Sequence, residues 1–164
     1  MPTKSSRLSF DWCSIAQALT EGLADLAEAN YAEVETYVGH FPLDINWGAY
    51  QMAERRGELR SIAARAGGNL VGYASYSIQP LSQNQTVLCA VNRVVYMAPR
   101  HRGWGSLELL DDSERRLKDL GVQMVIYVVK EPNSTDGRRS ANLASLLVRR
   151  GCDPYERHFS KVLK

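Results

Sequence analysis

Cysteine is scarce in this chain of 164 residues. Cys13, Cys89 and Cys152 are its three cysteines, an odd number with no CxxC spacing. Neither a disulfide framework nor a structural metal site is expected, and a reducing cytoplasm fits. No apolar run approaches the roughly 20 residues of a membrane-spanning helix, so no membrane partner is expected. The start, MPTKSSRLSFDW, lacks the apolar stretch of a secretion signal. Net charge is only +2, too little to argue for nucleic acid by itself. Internal repeats and low-complexity segments are also missing. What remains is ordinary for a globular chain: 45% hydrophobic and 23% charged residues. The length suits one domain over 1–164, with 1–10 loosely ordered.

Periodicity orders the elements. Ile15, Leu19, Leu23, Leu26 and Ala27 recur at helical spacing, with Asp11 or Ser14 as cap. The pattern runs on, with a break near Asn30, through Tyr31, Val34 and Val38 to Gly39. Asn46 can cap a second helix that Gly57 ends. Residues 58–66 and 70–79 read as strands joined by a Gly67-Gly68-Asn69 hairpin. A polar loop over 80–85 and a long strand over 86–97 follow. Leu107, Leu110, Leu117 and Leu120 then mark one face of a helix. Residues 123–129 are apolar enough for a buried central strand. Residues 138–150 form a last helix with Ala141, Ala144, Leu147 and Val148 inward, and 155–163 a last strand. The class is α+β.

The stretch that organises this order is Arg100-His101-Arg102-Gly103-Trp104-Gly105-Ser106, between the long strand and its following helix. A strand feeding a glycine-bearing turn and a helix start builds an anion site from free N–H groups and the helix dipole. Arg100 and Arg102 add cations suited to phosphate oxygens. Two phosphate loops are excluded. There is no GxxxxGK followed by Ser or Thr, and Gly103-Trp104-Gly105 lacks the third glycine of GxGxxG.

The turn does fit the Q/R-x-x-G-x-G/A motif, and the chain thereby resembles the GNAT superfamily of N-acetyltransferases. The resemblance extends to Leu70-Val71-Gly72-Tyr73, to the stretch from Ser140-Ala141-Asn142 to Gly151-Cys152, and to the closing strand. Residues 30–51 resemble small GNAT proteins of tailed phages. It implies a mixed, mostly antiparallel sheet whose middle strands splay, with helices on both faces. It also implies acetyl-CoA as co-substrate, without metal, and an amine acceptor. Val95 and Met97 would offer backbone groups to the pantetheine arm. Arg102, Gly103, Trp104, Gly105 and Ser106 would donate N–H groups to the pyrophosphate, with Arg100 at the motif's first position. Asn142 would hydrogen-bond the pantetheine side. The last strand could pair with another subunit, giving a homodimer.

The departures concern proton transfer. Leu147 stands where the family often carries a tyrosine acid, and Cys152 where an aromatic follows Gly151. Cys89, Asn92 and Arg93 occupy the region of a frequent strand carboxylate. Glu131 and Tyr155 are the candidate catalytic residues, with His158 beside them; a solvated charge and packed strand residues are the alternatives. Phe41, Trp47 and Tyr50 could line an amine-binding wall or pack between helix and sheet. The acceptor could be a small molecule, a protein or a modified base. A fold that has lost catalysis and binds protein or nucleic acid is the competing expectation.

Overall fold

A computed structural model describes residues 7–35, 39–130, 138–156 and 161, with backbone only at 138–142. The chain divides into two compact units, Met1–Val128 and Val129–Lys164.

The first unit is built on a sheet of five strands in the order β1-β2-β3-β4-β5. These are β1 (Leu8–Trp12), β2 (Leu59–Ala66), β3 (Asn69–Leu81), β4 (Asn84–Met97) and β5 (Met124–Ile126). The first three pairings are antiparallel and β4–β5 is parallel. The helices α1 (Ile15–Thr20), α2 (Leu23–Val34) and α3 (Trp47–Arg55) precede β2, and α4 (Trp104–Asp119) links β4 to β5.

Strand alternation divides the core in two. Ile62, Ala64, Ala74 and Ala90 point to one face, where Leu109 and Leu117 of α4 cover them. Ala63, Tyr73 and Tyr96 point to the other, where Ile15, Ala18 and Leu23 of α1 and α2 cover them. Small side chains at Ala63 and Ala64, both under 2% exposed, let helices approach both faces of β2.

Several boundaries differ from those read in the sequence. Residues 8–12 are a paired strand, because each finds a partner on β2 from Ala66 to Ile62. Ser14, not Asp11, caps α1: its Oγ accepts the Gln17 N–H at 3.1 Å. The helical break falls at Gly22 instead of Asn30, so α2 runs unbroken through Asn30 to Val34. Residues 36–38 lie outside the described residues. Asn46 does cap α3, accepting from the Ala49 N–H at 3.0 Å. The loop expected at 80–85 shrinks to Ser82 and Gln83, since β3 continues through Pro80 to Leu81. A register shift at Pro80/Leu81 accommodates the missing N–H.

The helix after the basic turn begins at Trp104, ahead of Leu107. Its inner face is Gly105, Leu109, Leu110, Ser113 and Leu117, a near-perfect i+4 series, so Leu107 is half-exposed and Leu120 exposed. The apolar run 123–129 yields only the short β5, half-buried and last in the order among the described residues.

The second unit contains α5 (Arg138–Arg149). Gly151 ends it with φ 89°, and the Cys152 N–H returns to the Leu147 carbonyl at 3.0 Å. Leu147 is buried, while Ala144 and Val148, expected inward, are exposed. The expected last strand falls mostly on 157–160 and 162–163, outside the described residues; Tyr155 and Glu156 have no regular structure.

Candidate active site

The site begins where β4 loses a neighbour. Its ladder with β5 runs from Cys89↔Met124 to Val91↔Ile126 and stops. Immediately beyond, β4 carries a bulge: Ser75 pairs with Val94 and Tyr76 with Asn92, leaving Arg93 as the extra residue. A bulge bends its strand and increases its twist, which separates β4 from the chain after β5. The Asn92 amide spans the opening gap. Its Oδ1 accepts the Val128 N–H at 2.5 Å and its Nδ2 donates to the Val128 carbonyl at 3.4 Å.

Past this fork, β4 follows β3 alone among the described residues, through Tyr73↔Tyr96 and Gly72↔Met97. Gly72 is required there, because a Cβ would stand 2.8 Å from the Tyr96 carbonyl oxygen. The Ala98 N–H reaches the Val71 carbonyl at 2.8 Å. In an antiparallel pair the backbone groups of alternate residues face opposite edges. Those of Val95 and Met97 therefore face the fork and not β3. The Met97 carbonyl already accepts the Arg102 Nε–H at 2.8 Å.

The turn follows directly. Pro99–His101 form a single 3-10 turn, in which the Arg102 N–H bonds the Pro99 carbonyl at 3.4 Å. Gly103 then takes φ 80° and ψ −114°, a region that side-chain-bearing residues avoid. That conformation turns the chain into α4, whose first bond is Leu107 N–H to the Gly103 carbonyl at 3.2 Å. The N–H groups of Trp104, Gly105 and Ser106 have no acceptor within the helix, and no side chain caps this end. The first turn of α4 holds no acid, while Arg116 and Lys118 lie in its last turn. The positive end of the helix dipole is thus left uncompensated at the turn.

A cleft of about 530 Å³ opens beside it, between the start of β1 and α4. Arg7, Arg100, His101, Arg102 and Trp104 line it, with Glu108 as an acidic wall residue. Trp104 is 81% exposed. Gly105 is buried against Leu8, whose Cδ1 would lie 2.7 Å from an added Cβ, so α4 begins pressed onto β1.

The acceptor and proton-transfer candidates are more scattered. Trp47 and Tyr50 pack against each other at 5.9 Å between ring centroids and onto the core of the α1–α3 face. Phe41 is exposed, with its ring against His40 and its carbonyl accepting from the Tyr31 hydroxyl. Glu54 of α3 accepts the Ile15 N–H at the start of α1. Glu131 and His158 lie outside the described residues, as does the Asn142 side chain, although its backbone is in α5. Tyr155 is 49% exposed in the second unit. Burial pushes the Cys89 thiol up, which fits a small buried residue and not a nucleophile.

Glu33 of α2 carries no motif and was not legible in the sequence as a site residue. Its carboxylate accepts from Arg102 Nη2 at 2.7 and 2.9 Å and from the Tyr96 hydroxyl at 3.1 Å. Burial, then the bond to Glu33, raises the Tyr96 hydroxyl above its ordinary value. Among the described residues no group of His, Cys, Asp and Glu could hold a metal ion.

No family model and no curated protein sequence matches the chain. Solved structures do. An aminoglycoside acetyltransferase from an uncultured soil metagenomic sample is 16% identical over 96% of this chain and 99% of its own, with a TM-score of 0.70. A ribosomal-protein-alanine N-acetyltransferase of Brucella melitensis is 16% identical over 96% and 99%, with a TM-score of 0.61. A "predicted acetyltransferase" of Clostridium acetobutylicum, solved with acetyl-CoA, is 12% identical over 95% and 96%, with a TM-score of 0.63. With its five-stranded mixed sheet flanked by helices, the chain has the GNAT acetyltransferase fold of these neighbours.

Proposed function

We propose that the protein is an N-acetyltransferase that takes its acetyl group from acetyl-CoA and passes it directly to an amine, with residues 1–164 acting as one domain. One observation carries this reading: the uncapped N-terminus of α4, set by Gly103 and flanked by Arg100, opens at the end of a strand that has left its neighbour. The N–H groups of Trp104, Gly105 and Ser106 suit a pyrophosphate. The fork-facing groups of Val95 and Met97 suit the amides of a pantetheine arm, with Asn142 a further partner carried over from the motif.

In such a reaction an amine nitrogen attacks the thioester carbonyl. A C–N bond forms, the C–S bond breaks, and the ammonium proton must leave while the thiolate gains one. The Met97 N–H is the backbone donor best directed to support the oxygen on which charge develops. Glu131 and Tyr155 remain the proposed proton-transfer groups, and Phe41, Trp47 and Tyr50 the proposed acceptor wall.

Isothermal titration with acetyl-CoA tests the donor. Wild type is expected to bind, and Gly103→Glu to lose binding by at least about a hundredfold, since a carboxylate enters the anion site in a conformation it resists. No binding by wild type, or unchanged binding by the variant, overturns the reading.

A second reading has its own support. Asn92 stands at the fork with both amide atoms on Val128, and no carboxylate takes its place there among the described residues. A fold that keeps the coenzyme but binds a protein or nucleic acid without turnover fits this. It predicts no release of free thiol across a broad amine panel while acetyl-CoA still binds.

A further inference from the structure

Arg102 belongs to the turn, yet its Nε and Nη2 are both held by the protein itself. Its Nε–H holds the Met97 carbonyl at 2.8 Å, and its Nη2 holds both oxygens of Glu33 at 2.7 and 2.9 Å. The guanidinium carbon lies 5.4 Å from the centre of the Tyr96 ring. Tyr96, only 6% exposed, closes the group by donating its hydroxyl to Glu33 at 3.1 Å. Three independent directions are thus fixed: along β4, onto an aromatic face, and across to α2, 69 residues away in the chain.

We propose that Glu33 is a positioning residue for the coenzyme turn, acting through Arg102, and that this clamp ties α2 to the anion site. The inference rests on the acetyl-CoA reading above. A turn that binds an anion through backbone N–H groups works best when those groups are already aimed. Gly103 supplies the required conformation, but a glycine is also the least restrained residue in a chain. The restraint must come from its neighbours. Arg102 precedes Gly103 directly, so anchoring its side chain at both Nε and Nη2 limits how far the turn can swing.

The opposite role is also physically available. Glu33 could act as an internal rival, holding Arg102 away from the pyrophosphate until the coenzyme displaces it. The two roles differ in sign. A clamp predicts weaker coenzyme binding when Glu33 is neutralised. A rival predicts tighter binding, because the arginine is released to the phosphates. The clamp is favoured because Glu33 also accepts the hydroxyl of the buried Tyr96, so it is tied to β4 as well as to Arg102.

The test uses Glu33→Gln, which keeps the shape and removes the charge, with Glu33→Asp as the conservative partner. In the coenzyme-free protein, hydrogen exchange should quicken in Glu33→Gln at the amides of Arg102 and Leu107, while β2 and β3 stay unchanged. Acetyl-CoA should bind Glu33→Gln about tenfold more weakly, the scale of one charge-assisted hydrogen bond. In turnover that loss should appear in KM for acetyl-CoA and not in kcat, and Glu33→Asp should recover most of it. Unchanged exchange at the turn, unchanged affinity, or tighter binding by Glu33→Gln would each overturn the clamp. If wild type fails to bind acetyl-CoA, the proposed function falls, and the exchange measurement still decides whether Glu33 holds the turn.

Discussion

The two faces of the sheet each pair an apolar core with polar links, and the links join different elements. On the α4 face, β strands and helix meet through Ile62, Ala74, Leu109 and Leu117, all fully buried and apolar. On the other face, apolar packing around Ile15 and Leu23 is joined by charged links that cross between elements. Arg65 of β2 holds Glu21 at 2.7 and 3.0 Å, and Glu54 of α3 accepts the Ile15 N–H at the start of α1. Glu33 of α2 reaches Arg102. The α4 face has polar links of its own, from Arg116 Nη2 to the Phe10 carbonyl of β1 and from the Tyr127 hydroxyl to Glu114 of α4. On the opposite face the ion pairs Arg65–Glu21 and Arg102–Glu33 join residues far apart in sequence. Rigid apolar packing suits a site made of N–H groups, which need only a fixed helix start. Side-chain links suit elements that must be placed relative to that start.

The contrast can be broken at three depths. The largest effect is expected for Leu109→Ala, which empties a fully buried position beneath α4. It should cost about 2–5 kcal/mol in urea unfolding, with no change in the shape of the pH–stability curve.

A smaller and pH-dependent effect is expected for Glu21→Gln on the opposite face. Hydrogen bonds from Arg65, then from Gln17, hold the Glu21 carboxyl below its ordinary 4.5. A depressed folded value means that the stabilisation is present above the unfolded value and is lost as pH falls through the lower, folded one. Wild type should therefore lose stability below about pH 4.5 more steeply than Glu21→Gln. At neutral pH the variant should be weaker by on the order of 1 kcal/mol, since both side chains keep some exposure. Identical acid limbs would show that this face is held by packing alone.

The smallest effect is expected for Tyr76→Phe. This hydroxyl is buried beside Ser113 and Tyr127 without a hydrogen-bond partner of normal geometry among the described residues. Ser113 donates instead to the Leu109 carbonyl, and Tyr127 to Glu114. Removing the hydroxyl should change stability by less than about 0.5 kcal/mol at neutral pH, or raise it. Burial pushes the Tyr76 hydroxyl up to about 12. The neutral form is thus favoured by folding, so its contribution holds below the unfolded value of 10 and is lost as pH rises through about 12. The alkaline fall in stability should be shallower in Tyr76→Phe, as thermal melts at stepped pH would show.

Much of this arrangement follows from local rules that act within a few residues. The hairpin at Gly67-Gly68, the Asn46 cap, the strand before the turn and the helix after it are each set by neighbours in sequence. So is the anion site itself, because Gly103 and the free N–H groups of α4 are consecutive. Where local rules misled, a distant partner intervened. Residues 8–12 look frayed until β2 supplies an edge to pair with. The 123–129 run looks like a central strand, yet the bulge at Arg93 bends its partner away after three pairs.

The sequence by itself determined an α+β chain with a basic, glycine-set helix start after its longest strand. A motif of backbone groups is written in consecutive residues, and it can be read there. Only the tertiary structure decided that Glu33, at the end of α2, would meet Arg102, and that Asn92 would span the fork. Those meetings depend on how helices pack across a sheet and where a bulge separates two strands. No spacing along the chain encodes either directly.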